Sequence, residues 1–281
     1  MTQNIKEYLS TASATEGQLL TVRQIYDQII GERDKAVLPR TEAALVFGPG
    51  DIPGSSIDVD LLTLNSASVR QIAEGAAITN DGAAFTSSNL KPVKYGIGLR
   101  ITSELMEDSK WNLMSYQLGV VGRRFAENEN SLIITALDGA ANTVSGGATL
   151  TTANITAAMQ HLENADMEPT TFVFGVEVLN DIRNLDTFAE FNKAGDNEML
   201  RSGFRGLIYG MKCYKASSNA GMTATSSYVF DRTQAYMIAE KRPVSVEGFD
   251  LPVHDLKAAS VTQRIKVALM RSTACAKITT T

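Results

Sequence analysis

Apolar side chains recur at helical spacing over residues 109–139, SKWNLMSYQLGVVGRRFAENENSLIITALDG, the longest regular pattern in the chain. Trp111, Met114, Leu118, Val121, Phe125 and Leu132 are separated by three, four, three, four and seven positions, which draws one stripe along an α-helix. Arg123, Arg124 and Glu127 fall roughly opposite it. At ~1.5 Å per residue such a segment makes a rod of roughly 45 Å, a beam across which other elements can lie. Gly119 and Gly122 flank the stripe. Each costs about 1 kcal/mol of helix propensity against Ala, and close approach of another backbone accounts for them.

A different period precedes the beam. Ile57, Val59 and Leu61 alternate with Asp58 and Asp60, and Val93, Tyr95, Ile97, Leu99 and Ile101 alternate with Lys94, Gly96, Gly98 and Arg100. Both runs predict strands with one wet and one dry face. Between them, residues 70–91 are rich in Ala, Ser, Asn and Gly and poor in large apolar side chains. Such an excursion cannot bury a core of its own, and an isolated hairpin is marginal in water. It therefore either folds back onto the body or is held by something outside the chain. Upstream, Leu19, Val22, Ile25, Ile29 and Ile30 predict a short amphipathic helix over 18–33, behind a polar arm. GPGDIPG at 48–54 is a breaker cluster.

Downstream of the beam, the uncharged stretch 139–159 reads as a loop leading into a helix, and NTVSGGATLTTAN within it as a linker and a plausible boundary. Residues 152–230 read as an α/β unit: helices at 155–165 and 177–185, a strand at 171–174, a glycine turn running into a strand near 215, and another strand from Tyr228. Residues 233–281 read as strands: AYMIAE, PVSVEG and one long final run, VTQRIKVALMRSTACAKIT.

Composition narrows the function classes. Of 281 residues, 44% are hydrophobic and 20% charged, as in ordinary globular proteins. The formal net charge of -5 argues against a surface built to neutralise phosphates. No run approaches the ~20 apolar residues of a membrane span, and the N-terminal stretch lacks the apolar core of a signal peptide. Cys213 and Cys275, with His161 and His254, are too few and too scattered for a disulfide framework or a zinc site, so buried free thiols are expected. Glu104, Glu107 and Asp108 form an acidic cluster before the beam, read as carboxylates placed favourably at a helix start rather than as a divalent-ion site. There is no G-x-S-x-G, H-E-x-x-H or Walker A pattern, and no aromatic-plus-basic platform for nucleic acid. No catalytic, metal or cofactor-binding residue is expected.

The order of elements, together with three segments, resembles the HK97-fold major capsid proteins of tailed phages and related viruses. VRQIAEGAAIT (69–79) resembles the family's extended-loop segment. KPVKYGIGLRITSELMEDS (91–109) resembles the return strand and the lead into the spine helix. YVFDRTQAYMIAEKRPVSVE (228–247) resembles a family strand pair through Phe230, Asp231, Tyr236, Ile238 and Arg242, although the usual glycine before the aspartate is absent. The resemblance implies an α+β fold with an N-terminal arm and short helix (1–56), an extended two-stranded E-loop (57–98), a peripheral (P) domain (99–152 plus 239–281, with a spine helix at 109–138) and an axial (A) domain (153–238). It implies a subunit that self-assembles into pentamers and hexamers around double-stranded DNA, without sequence-specific binding, in a virion assembled in the host cytoplasm. Arg70, Glu74, Asp81, Lys91 and Lys94 would serve E-loop assembly contacts, and the six stripe residues the spine-helix core. Met1 lies close to the first helix, so the resemblance implies separate scaffold and portal proteins rather than a fused scaffold. Lys91 and Lys94 lie at the base of the excursion, and no residue matches the Lys–Asn cross-link chemistry of some relatives.

Three other readings compete. An encapsulin-type nanocompartment shares the fold and would need an interior groove for cargo peptides. An enzyme using residues 150–230 would need a pocket with converging polar groups and a shifted acid or base. An adhesin or other surface-interaction protein is the third.

Overall fold

The structure is a computed structural model that describes residues 29, 40–63, 71–72, 74–75, 77, 84–102, 113–185, 207–251 and 256–281. Outside the described residues lie the helix expected over 18–33 (apart from Ile29), Arg70, Asp81, the acidic cluster at Glu104, Glu107 and Asp108, Trp111, His254, and the side chains of Met114 and Leu118.

A single 3-10 turn at Arg40–Glu42 leads into β1 (Leu45–Phe47), β2 (Ile57–Thr63), β3 (Ala84–Leu90) and β4 (Val93–Thr102). The beam follows as α1 (Leu113–Leu137), then β5 (Asn142–Gly147), α2 (Thr152–Glu163), β6 (Thr171–Phe174) and α3 (Val176–Asn184). The chain ends through β7 (Leu207–Ile208), β8 (Met211–Lys215), β9 (Ser226–Phe230), β10 (Tyr236–Leu251), β11 (Leu256–Leu269) and β12 (Cys275–Thr280). These strands form a four-stranded sheet in the order β1-β10-β11-β4, a six-stranded sheet in the order β5-β12-β9-β6-β8-β7, and the separate pair β2-β3.

The beam is a core helix whose buried row differs from the expected stripe. Val121, Phe125, Glu129, Ile133 and Leu137, spaced by four, are all buried, whereas Leu132 is only half-buried. A row of residues four apart is the ridge by which helices commonly pack. Reading the stripe from apolar residues alone passes over the acidic Glu129. The row also joins two cores. Val121 and Phe125 pack with Ile29, Val244 and Val261 under the four-stranded sheet, and Ile133, Ile134 and Leu137 pack with the six-stranded sheet and its helices.

Three strand expectations are corrected. The linker-like 142–154 stretch contains β5, which pairs in parallel with β12. A Cβ on Gly146 would sit 2.7 Å from the Thr280 side chain, so this glycine permits a close approach of β12, and Gly147 takes the left-handed φ of +65° that ends the strand. The final run is two strands in two different sheets, separated by a 3-10 turn at Ser272–Ala274. Conversely, AYMIAE and PVSVEG belong to one strand, β10, with register shifts on either side of Arg242. Pro243 accounts for that irregularity, because it has no N–H to give to a ladder.

Candidate assembly surfaces

The base of the excursion is only partly as expected: β2 is in place, but its partner is β3 within the apolar-poor middle, whereas the expected return strand, β4, pairs with β11 in the four-stranded sheet. β2 and β3 pair antiparallel from Ile57↔Leu90 to Thr63↔Ala84, with no third strand among the described residues. One face of this base is dry: Leu90 is buried with Ile52, Met237 and Ala239, and Ile57 and Val59 pack against the same cluster. The other face is wet. Asp58 and Asp60 are exposed, and the Asn89 side-chain amide donates to Asp58. Further out, Gln71, Ile72, Glu74, Gly75 and Ala77 are all exposed, Ile72 at 44% of its surface. Lys91 and Lys94 are exposed on the return path. Of the expected E-loop contact residues, the described ones (Glu74, Lys91 and Lys94) are thus on the surface, but the fold does not gather them into one cluster.

A second constellation was not legible in the sequence. Arg40 spans two carboxylates: Nε and Nη2 donate to Glu129 of α1 at 2.7 and 2.9 Å, and Nη1 and Nη2 donate to Glu240 of β10 at 2.7 and 3.2 Å. Gln263 of β11 donates to Glu240 at 2.9 Å. Glu129 is wholly buried and the Arg40 side chain is 25% exposed. Burial alone would lower the pKa of Arg40. Hydrogen bonds and charges from Glu129 and Glu240 reverse this and raise it. Two residues on, buried Glu42 accepts from Thr171 of β6 at 2.9 Å, and from Lys212 at 3.0 Å and Tyr214 at 3.1 Å on β8. Burial would raise the Glu42 pKa, but these three hydrogen bonds and the Lys212 charge outweigh it and hold the carboxyl below its ordinary value. The Tyr214 hydroxyl is pushed up to about 12 by burial and by Glu42. One short turn therefore ties helix α1, the four-stranded sheet and the six-stranded sheet together through charge-assisted bonds.

Among the described residues no group of three or more His, Cys, Asp or Glu could hold a metal ion. His161 is exposed on α2. Cys275 is buried and Cys213 half-buried, and burial raises the pKa of both thiols, Cys213 to about 12, which keeps them protonated and unreactive. An open cleft of about 420 Å³ is lined by Glu42, Lys212, Asp231 and Arg232 among others. Its central acid and base, Glu42 and Lys212, already neutralise each other. No helix among the described residues is long and apolar enough to cross a membrane.

With this geometry in place, comparison with known proteins is informative. A family model described as "Phage capsid protein" matches residues 69–271. No curated protein matches. Among solved structures, one from Mycobacterium phage Che8 superposes with a TM-score of 0.69 at 16% identity, covering 80% of this chain and 85% of that one. One from Gordonia phage Cozz gives 0.66 at 13% identity, covering 86% and 85%. The virus-like particle from Pyrococcus furiosus gives 0.61 at 11% identity, covering 92% of this chain and 99% of that one. At these identities the structural matches speak for the fold alone.

Proposed function

This chain belongs to the phage capsid protein family and has the HK97-type capsid fold, and from that premise we propose how its parts serve as a structural subunit of an icosahedral shell. The excursion 57–90, ahead of β4, is the E-loop and lies over an adjacent subunit. α1 is the spine helix of a P domain that includes the four-stranded sheet. The unit around the six-stranded sheet is the A domain, which points at the centre of a pentamer or hexamer. The observation that carries this reading is the excursion itself: among its described residues the base is packed and those beyond it are exposed, and such a hairpin gains a burial partner in an assembly. The shell encloses double-stranded DNA by containment, for which the mildly acidic balance of -5 is suited because it limits adhesion to the polyanion. Scaffold and portal proteins are partners of the shell, and assembly takes place in the host cytoplasm. A structural role without catalysis fits the self-neutralised cleft and the protonated thiols.

The test uses the register of β2 and β3. Thr63 and Ala84 are partners, so residues 64–83 are replaceable by an Asn-Gly turn that leaves both strands and their dry face intact. Electron microscopy and mass measurement of the purified wild-type protein should show closed particles or pentamers and hexamers. The shortened variant should keep its circular dichroism spectrum and melting behaviour and form no shells. Shells from the shortened variant would remove the E-loop assignment. A stable wild-type monomer would remove the assembly reading.

A further inference from the structure

The face of the four-stranded sheet turned away from α1 carries a group of positive charges that the fold does not neutralise. Arg242 of β10 is the register partner of Arg264 of β11, and Arg264 is the register partner of Lys94 of β4. Directly paired residues share a face, and the packing locates that face. Tyr95, Ile97 and Val261, which alternate with the row, pack with Val121 and Phe125 of α1. Ala268, in phase with Arg264 along β11, and its partner Met237 belong instead to the cluster that holds Leu90, Ile57 and Val59 of the hairpin base. The row therefore lies in the corner where the hairpin base meets the sheet. The Pro92 carbonyl, just beyond the hairpin, accepts from Arg264 Nη2 at 3.4 Å. Lys266 stands between Ala268 and Arg264 on the same face and adds a fourth cation on the hairpin side. Strands ~4.8 Å apart and a rise of ~3.4 Å per residue put the four backbone positions within roughly 10 Å of one another. On its open side the corner has a polar floor. Arg242 Nη2 donates to the Oγ1 of buried Thr262 at 2.9 Å, and the Ser245 hydroxyl pairs with the same oxygen at 3.0 Å. Gly96 and Gly98 follow Lys94 on this face, and the space over Gly98 is empty.

None of the four cations is ion-paired with a carboxylate among the described residues, and the Nε of Arg242 is buried there without a partner. The carboxylate on the same sheet face is Glu247, in register with Ser260. Ser260 lies four residues along β11 from Arg264, about 13 Å away and beyond the screening length at physiological salt. Asp58 and Asp60 are on the hairpin face opposite the one packed on the sheet. Like charges directly opposite one another destabilise a sheet, so a bound anion is the physical reason to keep them. Two guanidinium forks present paired N–H donors in the geometry that an oxyanion accepts, and four uncompensated cations call for more than one negative charge. A floor of hydroxyls and glycines offers no surface on which an apolar or aromatic body could pack. We propose that Lys94, Arg264, Arg242 and Lys266 bind a small, multiply charged oxyanion of the phosphate class, free in solution. The site does not depend on the assembly reading. DNA is the less apt source of the same phosphate chemistry. A duplex is held by cations spread along a track of successive phosphates, whereas these are gathered in one corner beside the hairpin, on a chain of net charge -5.

Titration of the purified protein with inorganic phosphate tests it, read by calorimetry and by melting temperature. At constant ionic strength, with chloride as the balancing anion, phosphate should raise the melting temperature and then level off, by roughly 2–5 °C at about ten times its dissociation constant. Lys94→Gln with Arg264→Gln should abolish that rise and weaken phosphate binding roughly tenfold or more. Arg264→Lys, which keeps the charge and loses the fork, should bind phosphate more weakly than the wild type and more tightly than the double variant. Phosphate no more effective than chloride at equal ionic strength would overturn the site, as would a double variant that responds to phosphate as the wild type does. So would a duplex DNA fragment that binds through the same residues while phosphate neither binds nor displaces it, which would assign the row to nucleic acid. If the double variant does not fold, Lys94→Gln alone decides, because that side chain is exposed: it should lose phosphate affinity about threefold or more, and undiminished affinity would overturn the site.

Discussion

The two faces of the four-stranded sheet carry charge in opposite ways. On the face toward α1, Glu240 is held by Arg40 and Gln263, and Arg40 also holds Glu129. Each charge of this cluster has an opposite charge from a different element. On the far face, Arg242, Arg264 and Lys94 are neighbours in register with no carboxylate beside them among the described residues. The same strands β10 and β11 supply both sets. A buried ion has lost its hydration and must find its partner within the fold. A surface ion keeps its water and leaves its partner to be supplied from outside. The inner set therefore belongs to folding, the outer set is not compensated among the described residues, and substitutions on the two faces should have effects of different size and sign.

The largest effect is expected on the inner face. Arg40→Ala leaves Glu129, which is wholly buried, and Glu240 without their cation. Loss of one member of a buried ion cluster costs about 3–5 kcal/mol, read as a fall in the denaturant midpoint of the purified protein. Replacing the whole cluster sharpens the point: Arg40→Met, Glu129→Leu and Glu240→Leu together should recover most of that loss, because no stranded charge remains. A triple variant no better than Arg40→Ala would mean that the segment's role is something other than charge compensation.

Next in size is a pH effect at the neighbouring carboxylate. Lys212, Thr171 and Tyr214 hold Glu42 below its ordinary value of 4.5 against the upward push of burial. A carboxylate depressed in the folded state adds stability that is complete above the unfolded-state pKa and is lost as pH falls through the folded-state pKa. The denaturant midpoint should therefore decline as pH drops below about 5, and Glu42→Gln should flatten that decline while lowering the midpoint at neutral pH. An unchanged pH slope in the variant would show that the carboxylate is not the linked group. Asp138, depressed by Lys277 and Tyr228 against burial, shares the same sign, but it is about half exposed and its share is screened by solvent.

How much of this was legible in the sequence follows from where periodicity carries information. The alternation at 57–61 and 93–101 and the helical spacing of the beam were readable, because each buries one face of a regular element. The inner cluster was not. Glu129 interrupts an apolar row and reads as a solvent-facing acid until Arg40, 89 positions earlier, is brought to it. β5 was missed for a related reason: Gly146 and Gly147 read as a loop, although Gly146 is what lets β12 come close. The outer row was visible only as polar positions in alternating strands. Nothing in one strand shows that its Lys94 will stand beside Arg264 of another, since register between distant strands is a property of the fold. The excursion was the reverse case. Its poverty in large apolar side chains was apparent from composition, and the structure adds which face of its base is packed and which is exposed.

The smallest predicted effect separates the two faces most cleanly, because it carries the opposite sign. Arg264→Gln removes the middle member of the cation row while keeping a side chain able to donate to Pro92. Relief of cross-strand repulsion on both sides should raise the stability of the unassembled protein by about 0.2–1 kcal/mol, a small upward shift in melting temperature that added salt should erase by screening the repulsion in the wild type. No substitution within the inner cluster that strands a charge can do this. A sheet whose far face becomes more stable when its charge is removed is one in which that charge does not serve the fold, and it must then be kept for something the isolated subunit lacks. If Arg264→Gln lowers the melting temperature, the row is part of the fold's own compensation, and the distinction between the two faces fails at that residue.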